Sequence, residues 1–135
     1  MIGMDEKRRQ VPGAELFVSE SIMEALADLG DGAYDAEESN SGLVLGERFS
    51  DPLGTWARVT HISGDEDADG VIGWYRTSEQ DGVEMSPADV KKHISLFGKG
   101  RAYAIMIDPQ KSSLSFFTVE DGEPVKVRAV IVESN

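Results

Sequence analysis

The chain has no cysteine, so neither a disulfide nor a thiolate metal site is available to it. It has no apolar run long enough to span a bilayer. Basic residues are scarce: 13 Lys and Arg stand against 25 Asp and Glu, for a net charge of −12. Nucleic acid and anionic membrane both reward clustered cations, so the charge argues against either as partner. The densest basic groups are only Lys7-Arg8-Arg9 and Lys91-Lys92. No G-x-S-x-G elbow is present. Neither histidine, His61 or His93, has a recognisable nucleophile partner. Gly98-Lys99-Gly100 follows a predicted helix rather than a strand, so it is no phosphate loop.

What remains is a chain of 135 residues, 40% hydrophobic, enough for one domain with a sizeable core. Residues 1–13 read as a charged, flexible tail without an apolar signal segment, and residues 14–135 as the domain. The absence of cysteine and of a signal segment suits a cytoplasmic home. The acidity serves solubility or steers the domain toward a basic protein surface.

Leu16 to Ser19 reads as a short strand leading into a helix. Ser21 and Glu24 have capping-box spacing. Ile22, Ala25, Leu26 and Leu29 share a helical face, and Gly30-Asp31-Gly32 supplies a stop. Leu43-Val44-Leu45, between two glycines, predicts a buried strand extended by Glu47-Arg48-Phe49. A turn at Asp51-Pro52-Leu53-Gly54 leads to a second strand, Thr55 to Ser63. Its alternation puts Ala57, Val59 and His61 on one face. Val71 to Tyr75 predicts a third strand. Ser86 is an N-cap candidate for the clearest helix, with Pro87 in its first turn and a Val90/Ile94/Phe97 stripe. Three strands then follow: Arg101 to Ile107, Ser113 to Val119 and Val125 to Val132. Glu120-Asp121-Gly122-Glu123 is a hairpin loop between the last two. Helices alternate with strands early and strands cluster late, which predicts an α/β domain around a mixed sheet.

Asp65, Asp67, Asp69 and Gly70 match the first half of a calcium loop, but the twelfth position, where a bidentate glutamate belongs, is Arg76. A solvated acidic loop is the plainer reading. Asp89, His93 and His61 could in principle rebuild a metal site, although His93 also borders the apolar stripe.

One run carries a resemblance. Val71-Ile72-Gly73-Trp74-Tyr75-Arg76-Thr77-Ser78 is followed, after seven residues, by Ser86-Pro87-Ala88-Asp89. This resembles the centre of the MPN/JAMM (JAB-like) family, whose zinc-dependent members remove ubiquitin-like tags. In them Gly-Trp-Tyr leads into H-x-H-P, and S-x-x-D follows at this spacing. The resemblance extends over roughly Leu16 to Val132, including Gly42-Leu43-Val44-Leu45-Gly46 and the Asp-Pro that ends Ile105-Met106-Ile107-Asp108-Pro109. It implies a single α/β domain with a mixed, curved sheet flanked by helices.

The resemblance also implies a lost metal centre. The family's two histidine positions hold Arg76 and Ser78, its proline position Glu79, and its glutamate base position Ser39, one residue beyond Glu38. Ser86 and Asp89 remain. An arginine offers no lone pair to zinc. Helix capping by Ser86 and Asp89 is sufficient reason for both. The reading implied is a catalytically inactive interaction or scaffold domain without a cofactor. Its partners would be proteins: a second copy, a related MPN domain, or a ubiquitin-like protein. An atypical metallo-isopeptidase with relocated ligands, and a small-ligand or peptide-binding module using the vacated cleft, are the alternatives. By the same resemblance, residues 76 and 89 flank one metal position. The Arg76 guanidinium would then partly replace the cation and pair with Asp89. Otherwise Arg76 turns to solvent and Asp89 only caps its helix.

Overall fold

The computed structural model describes residues 15–36, 41–51, 54–63, 70–77, 83–98, 102–108 and 113–132. Among these described residues, eight strands and two helices succeed one another as β1 (Leu16–Ser19), α1 (Glu20–Ala36), β2 (Ser41–Asp51), β3 (Gly54–Ser63), β4 (Val71–Thr77), α2 (Pro87–Phe97), β5 (Tyr103–Asp108), β6 (Ser113–Glu120), β7 (Glu123–Lys126) and β8 (Ala129–Val132). All eight strands join one sheet, in the order β7-β6-β5-β4-β2-β3-β1-β8. β4 pairs with β5 in parallel, and β1 does so with both β3 and β8. The remaining pairs are antiparallel.

This corrects the α/β expectation and, with it, the helix-flanked architecture that the MPN/JAMM resemblance implied. The fold is mostly β, a sheet curled into a half-barrel with two helices. The late strands form no separate region; they extend the sheet begun by the early ones. The main apolar cluster draws Leu16 and Val18 from β1, Val44 from β2, Val59 from β3, Tyr75 from β4 and Ile105 from β5. Leu26 of α1 is part of the same cluster. The sheet thus buries much of one face against itself and α1.

The curl is imposed by connectivity. β7 and β8 stand at opposite ends of the sheet, yet only Val127 and Arg128 separate them. Two linking residues reach no more than about 11 Å between the flanking Cα atoms. The Val127 N–H donates to the Phe116 carbonyl at 2.9 Å, and the Arg128 carbonyl accepts from Glu15 N at 3.0 Å. The linker therefore fastens one end of the sheet to the other. A single strand over Val125 to Val132 was the sequence expectation; the chain instead divides there into two edge strands. The Asp121-Gly122 turn has φ of 52° and 79°, the left-handed pair a tight hairpin requires.

Two further expectations change. α1 is capped by Ser19, whose Oγ accepts from Ile22 N at 3.3 Å, rather than by Ser21. It continues through Gly30 and Gly32 to Ala36. On β3, Leu45 faces His61 while the adjacent Gly46 faces Val59, leaving Thr60 as a bulge. A bulge inverts the alternation beyond it. Ile62 joins Ala57 and Val59 at the core, and His61 is exposed.

Candidate functional site

β4 and α2 build the site. Along β4, Tyr75 enters the main cluster, while Trp74 faces the opposite side and packs with Met85, Ala104, Met106 and Phe117. That side is where α2 lies. Val90 and Phe97 of α2 pack there, and His93 is fully buried at 1% exposure. Ile94, expected in the apolar stripe, is 42% exposed. The inward positions are thus Asp89, Val90, His93 and Phe97, spaced by helical turns. A polar residue among them hid the true face from a reading by hydrophobicity alone.

α2 starts as its sequence predicts. Ser86 Oγ accepts from Asp89 N at 3.2 Å, and Asp89 Oδ2 accepts from Ser86 N at 2.9 Å. The two form a reciprocal capping box, with Pro87 opening the first turn. Arg76, at the end of β4, reaches the same carboxylate. Its Nη2 donates to Asp89 Oδ2 at 2.8 Å, and its Nε lies 3.2 Å from both carboxylate oxygens. Nη2 also donates to the Glu84 carbonyl at 2.6 Å. The guanidinium therefore ties the strand end, the chain entering α2 and the helix cap together. Only 7% of the Arg76 side chain and 12% of that of Asp89 are exposed. Burial alone would raise the Asp89 carboxyl. Hydrogen bonds from Arg76 and Ser86 and the guanidinium charge outweigh it and hold the group below the usual carboxylate range.

A second buried contact was not legible in the sequence. Trp74 Nε1 donates to His93 Nδ1 at 3.1 Å. Indole nitrogen can only donate, so Nδ1 is the acceptor and a neutral ring carries its proton on Nε2. Nε2 is buried without a hydrogen-bond partner. Burial lowers the His93 pKa from its ordinary value, disfavouring the charged ring.

The structure unites Arg76, Ser86 and Asp89. Ser39, Ser78 and Glu79 lie outside the described residues, as do Asp65, Asp67 and Asp69 of the acidic loop and residues 1–13 of the expected tail. The relocated set of Asp89, His93 and His61 is not assembled. His61 is exposed on β3 with its Nδ1 3.1 Å from Thr60 Oγ1, and among the described residues no three His, Cys, Asp or Glu side chains are grouped to hold a metal ion. Also among the described residues, no helix is long and apolar enough to cross a membrane.

Beside the buried pairs lies an open pocket of about 540 Å³ between the start of β2, β4 and the outer part of α2. Leu43, Val71, Leu96 and Phe97 supply its apolar surface, and the buried Trp74 lies beneath it. Lys92 and Ser41 supply its polar edge. Nothing in the motif spacing marked this pocket, because its walls come from segments about fifty positions apart.

No family model and no curated protein matches the chain. Among solved structures, it is similar to the solution structure of protein DSY2949 from Desulfitobacterium hafniense. The match has a TM-score of 0.62 at 15% identity and covers 89% of this chain and 94% of that one. At that identity the likeness extends to the fold alone.

Proposed function

We propose that this chain is a non-catalytic binding domain, acting by holding a partner or ligand rather than by metal-assisted hydrolysis. One observation carries the reading: the Asp89 carboxylate is already committed to a guanidinium and a backbone N–H. A catalytic zinc needs several lone-pair donors around an open position. Here the side chain bonded to the Asp89 carboxylate is a cation with five N–H donors and no acceptor. A divalent ion at Asp89 would have to displace a nearly buried charge-assisted pair. The reading rests on this pair and does not require membership of the MPN/JAMM family.

The other polar groups support the same reading. His93 Nδ1 is occupied by Trp74. Thr60, beside the exposed His61, is placed by its hydroxyl's contact with the Leu45 carbonyl at 3.4 Å. The test is metal uptake. Protein purified without chelator is offered one equivalent of zinc, desalted, and its metal content and Tm are measured. The expected result is far less than stoichiometric zinc and an unchanged Tm. Near-stoichiometric zinc that Asp89→Asn removes would overturn the proposal.

A further inference from the structure

We infer that the pocket between β2, β4 and α2 is a binding site for a small amphipathic carboxylate, with Lys92 as the group that receives the anion. This deepens the binding-domain reading by naming the ligand class. A pocket of about 540 Å³ lies within the roughly 300–1,000 Å³ of small-ligand sites. Its lining is mixed, somewhat more apolar than polar, with Lys92 and Ser41 as the polar side chains placed to orient a ligand.

The charge distribution selects the ligand. The chain carries nearly two acidic residues for each basic one, yet no carboxylate is among the described residues that line this pocket, and Lys92 is. The Lys92 Nζ lies 4.8 Å from the Trp74 ring centroid and donates to Ser41 Oγ at 3.3 Å. Trp74 is itself fixed from behind by its bond to His93. An ammonium has three N–H groups; Ser41 takes one, and among the described residues no carboxylate pairs with the charge. The cation is thus held at the edge of an apolar hollow with capacity to spare. A ligand satisfying both features has an apolar body for Leu43, Leu96 and Phe97, and one anionic end for Lys92, which itself covers the buried Trp74 ring. The general acidity of the chain does not forbid this, since charges beyond about 8 Å are largely screened at physiological ionic strength.

The test uses 4-phenylbutyrate and its uncharged counterpart 4-phenylbutanol on the full chain, followed by amide and indole NMR shifts. The acid is expected to shift Leu43, Lys92, Phe97 and the Trp74 indole saturably in the millimolar range, and to bind about fivefold more tightly than the alcohol, the size of one exposed ion pair. Lys92→Gln should remove the preference for the acid, and Lys92→Arg should keep it. Leu96→Asp, an exchange at an exposed position of the lining, removes apolar contact from both ligands and adds a negative charge, so it should weaken the acid more than the alcohol. Equal binding of acid and alcohol, an unchanged preference in Lys92→Gln, no saturable shift, or shifts centred elsewhere would each overturn the inference. Zinc uptake at Asp89 would sink the non-catalytic reading without altering the acid preference, so the two can fail separately.

Discussion

The Arg76 guanidinium grips the Asp89 carboxylate with both Nε and Nη2, at 3.2 and 2.8 Å, while the same carboxylate caps α2. One side chain thus answers to two elements. Removing Arg76 leaves a nearly buried carboxylate without its counter-charge, so Arg76→Ala should cost about 3–5 kcal/mol in urea unfolding. Replacing both partners, as in Arg76→Met with Asp89→Leu, should cost less than the sum of the single changes. Strict additivity in that double-mutant cycle would show that the pair is not coupled. Arg76→Lys should fail to rescue, because a single ammonium cannot span the carboxylate and the Glu84 carbonyl together.

His93 should make stability depend on pH near neutrality. Its folded pKa lies below the ordinary imidazole value, so the unfolded chain takes up a proton that the folded chain refuses. Its contribution is therefore fully present above about pH 6.5 and is lost as pH falls through that value toward the lower folded pKa. The slope cannot exceed about 1.4 kcal/mol per pH unit. Asp89, also lowered, behaves likewise but only below about pH 4, so the two windows separate. His93→Asn keeps an acceptor near the Nδ1 position for Trp74 without an imidazole to titrate. The stability difference between wild type and His93→Asn should change in favour of the variant between about pH 7.5 and 5.5. A constant difference across that range would remove His93 as the cause.

How much of this was legible in the sequence depended on whether a signal was local. The reciprocal box that Asp89 completes was not foreseen, but the N-cap at Ser86 with Asp89 in the first turn is a local signal and was read correctly. So was the Asp121-Gly122 hairpin, whose left-handed φ values follow from residue type. Convergence of Arg76 on Asp89 was one of two outcomes implied by a resemblance; the geometry shows the pair. The contacts that sequence did not disclose are long-range or depend on counting errors built into the sheet. Thr60 bulges out of β3, which reverses the facing of His61 and Ile62 without altering any local preference. The break at Val127-Arg128 sends β8 to the far edge of the sheet, and no residue type there announces it. His93 looked like the border of a stripe because its partner, the Trp74 N–H, lies on another element. The α/β expectation failed for a related reason. Element order records how often helices occur, whereas the architecture follows from which strands pair.

Ser86→Ala isolates the cap from the ion pair. It removes the hydroxyl that accepts from Asp89 N but leaves the Asp89 carboxylate on Arg76. The expected loss is about 1 kcal/mol, well short of that for Arg76→Ala. A loss equal to that of Arg76→Ala would mean that the serine, rather than the guanidinium, holds the site together.

Two glycines should prove immovable because of the close approach of neighbouring strands, while a third should not. A Cβ at Gly46 would lie 2.0 Å from the Arg58 carbonyl oxygen, and one at Gly73 would lie 2.2 Å from that of Tyr103. In each case the obstacle is backbone held in an adjacent strand, so no side-chain rotation relieves it. The strands would have to separate beside the bulge that sets the register of β2, β3 and β4. Gly46→Ala and Gly73→Ala should each cost about 3 kcal/mol or more, at the upper end of overpacking. Gly122 differs in kind. Its φ is +79°, but a Cβ there would meet nothing within 4 Å. Asparagine tolerates the left-handed region better than other side chains, so Gly122→Asn should cost less than about 1 kcal/mol. Thermal unfolding of the three variants decides between steric and conformational causes. If Gly46→Ala melts near wild type while Gly122→Asn does not, backbone strain rather than strand approach governs the glycines of this sheet.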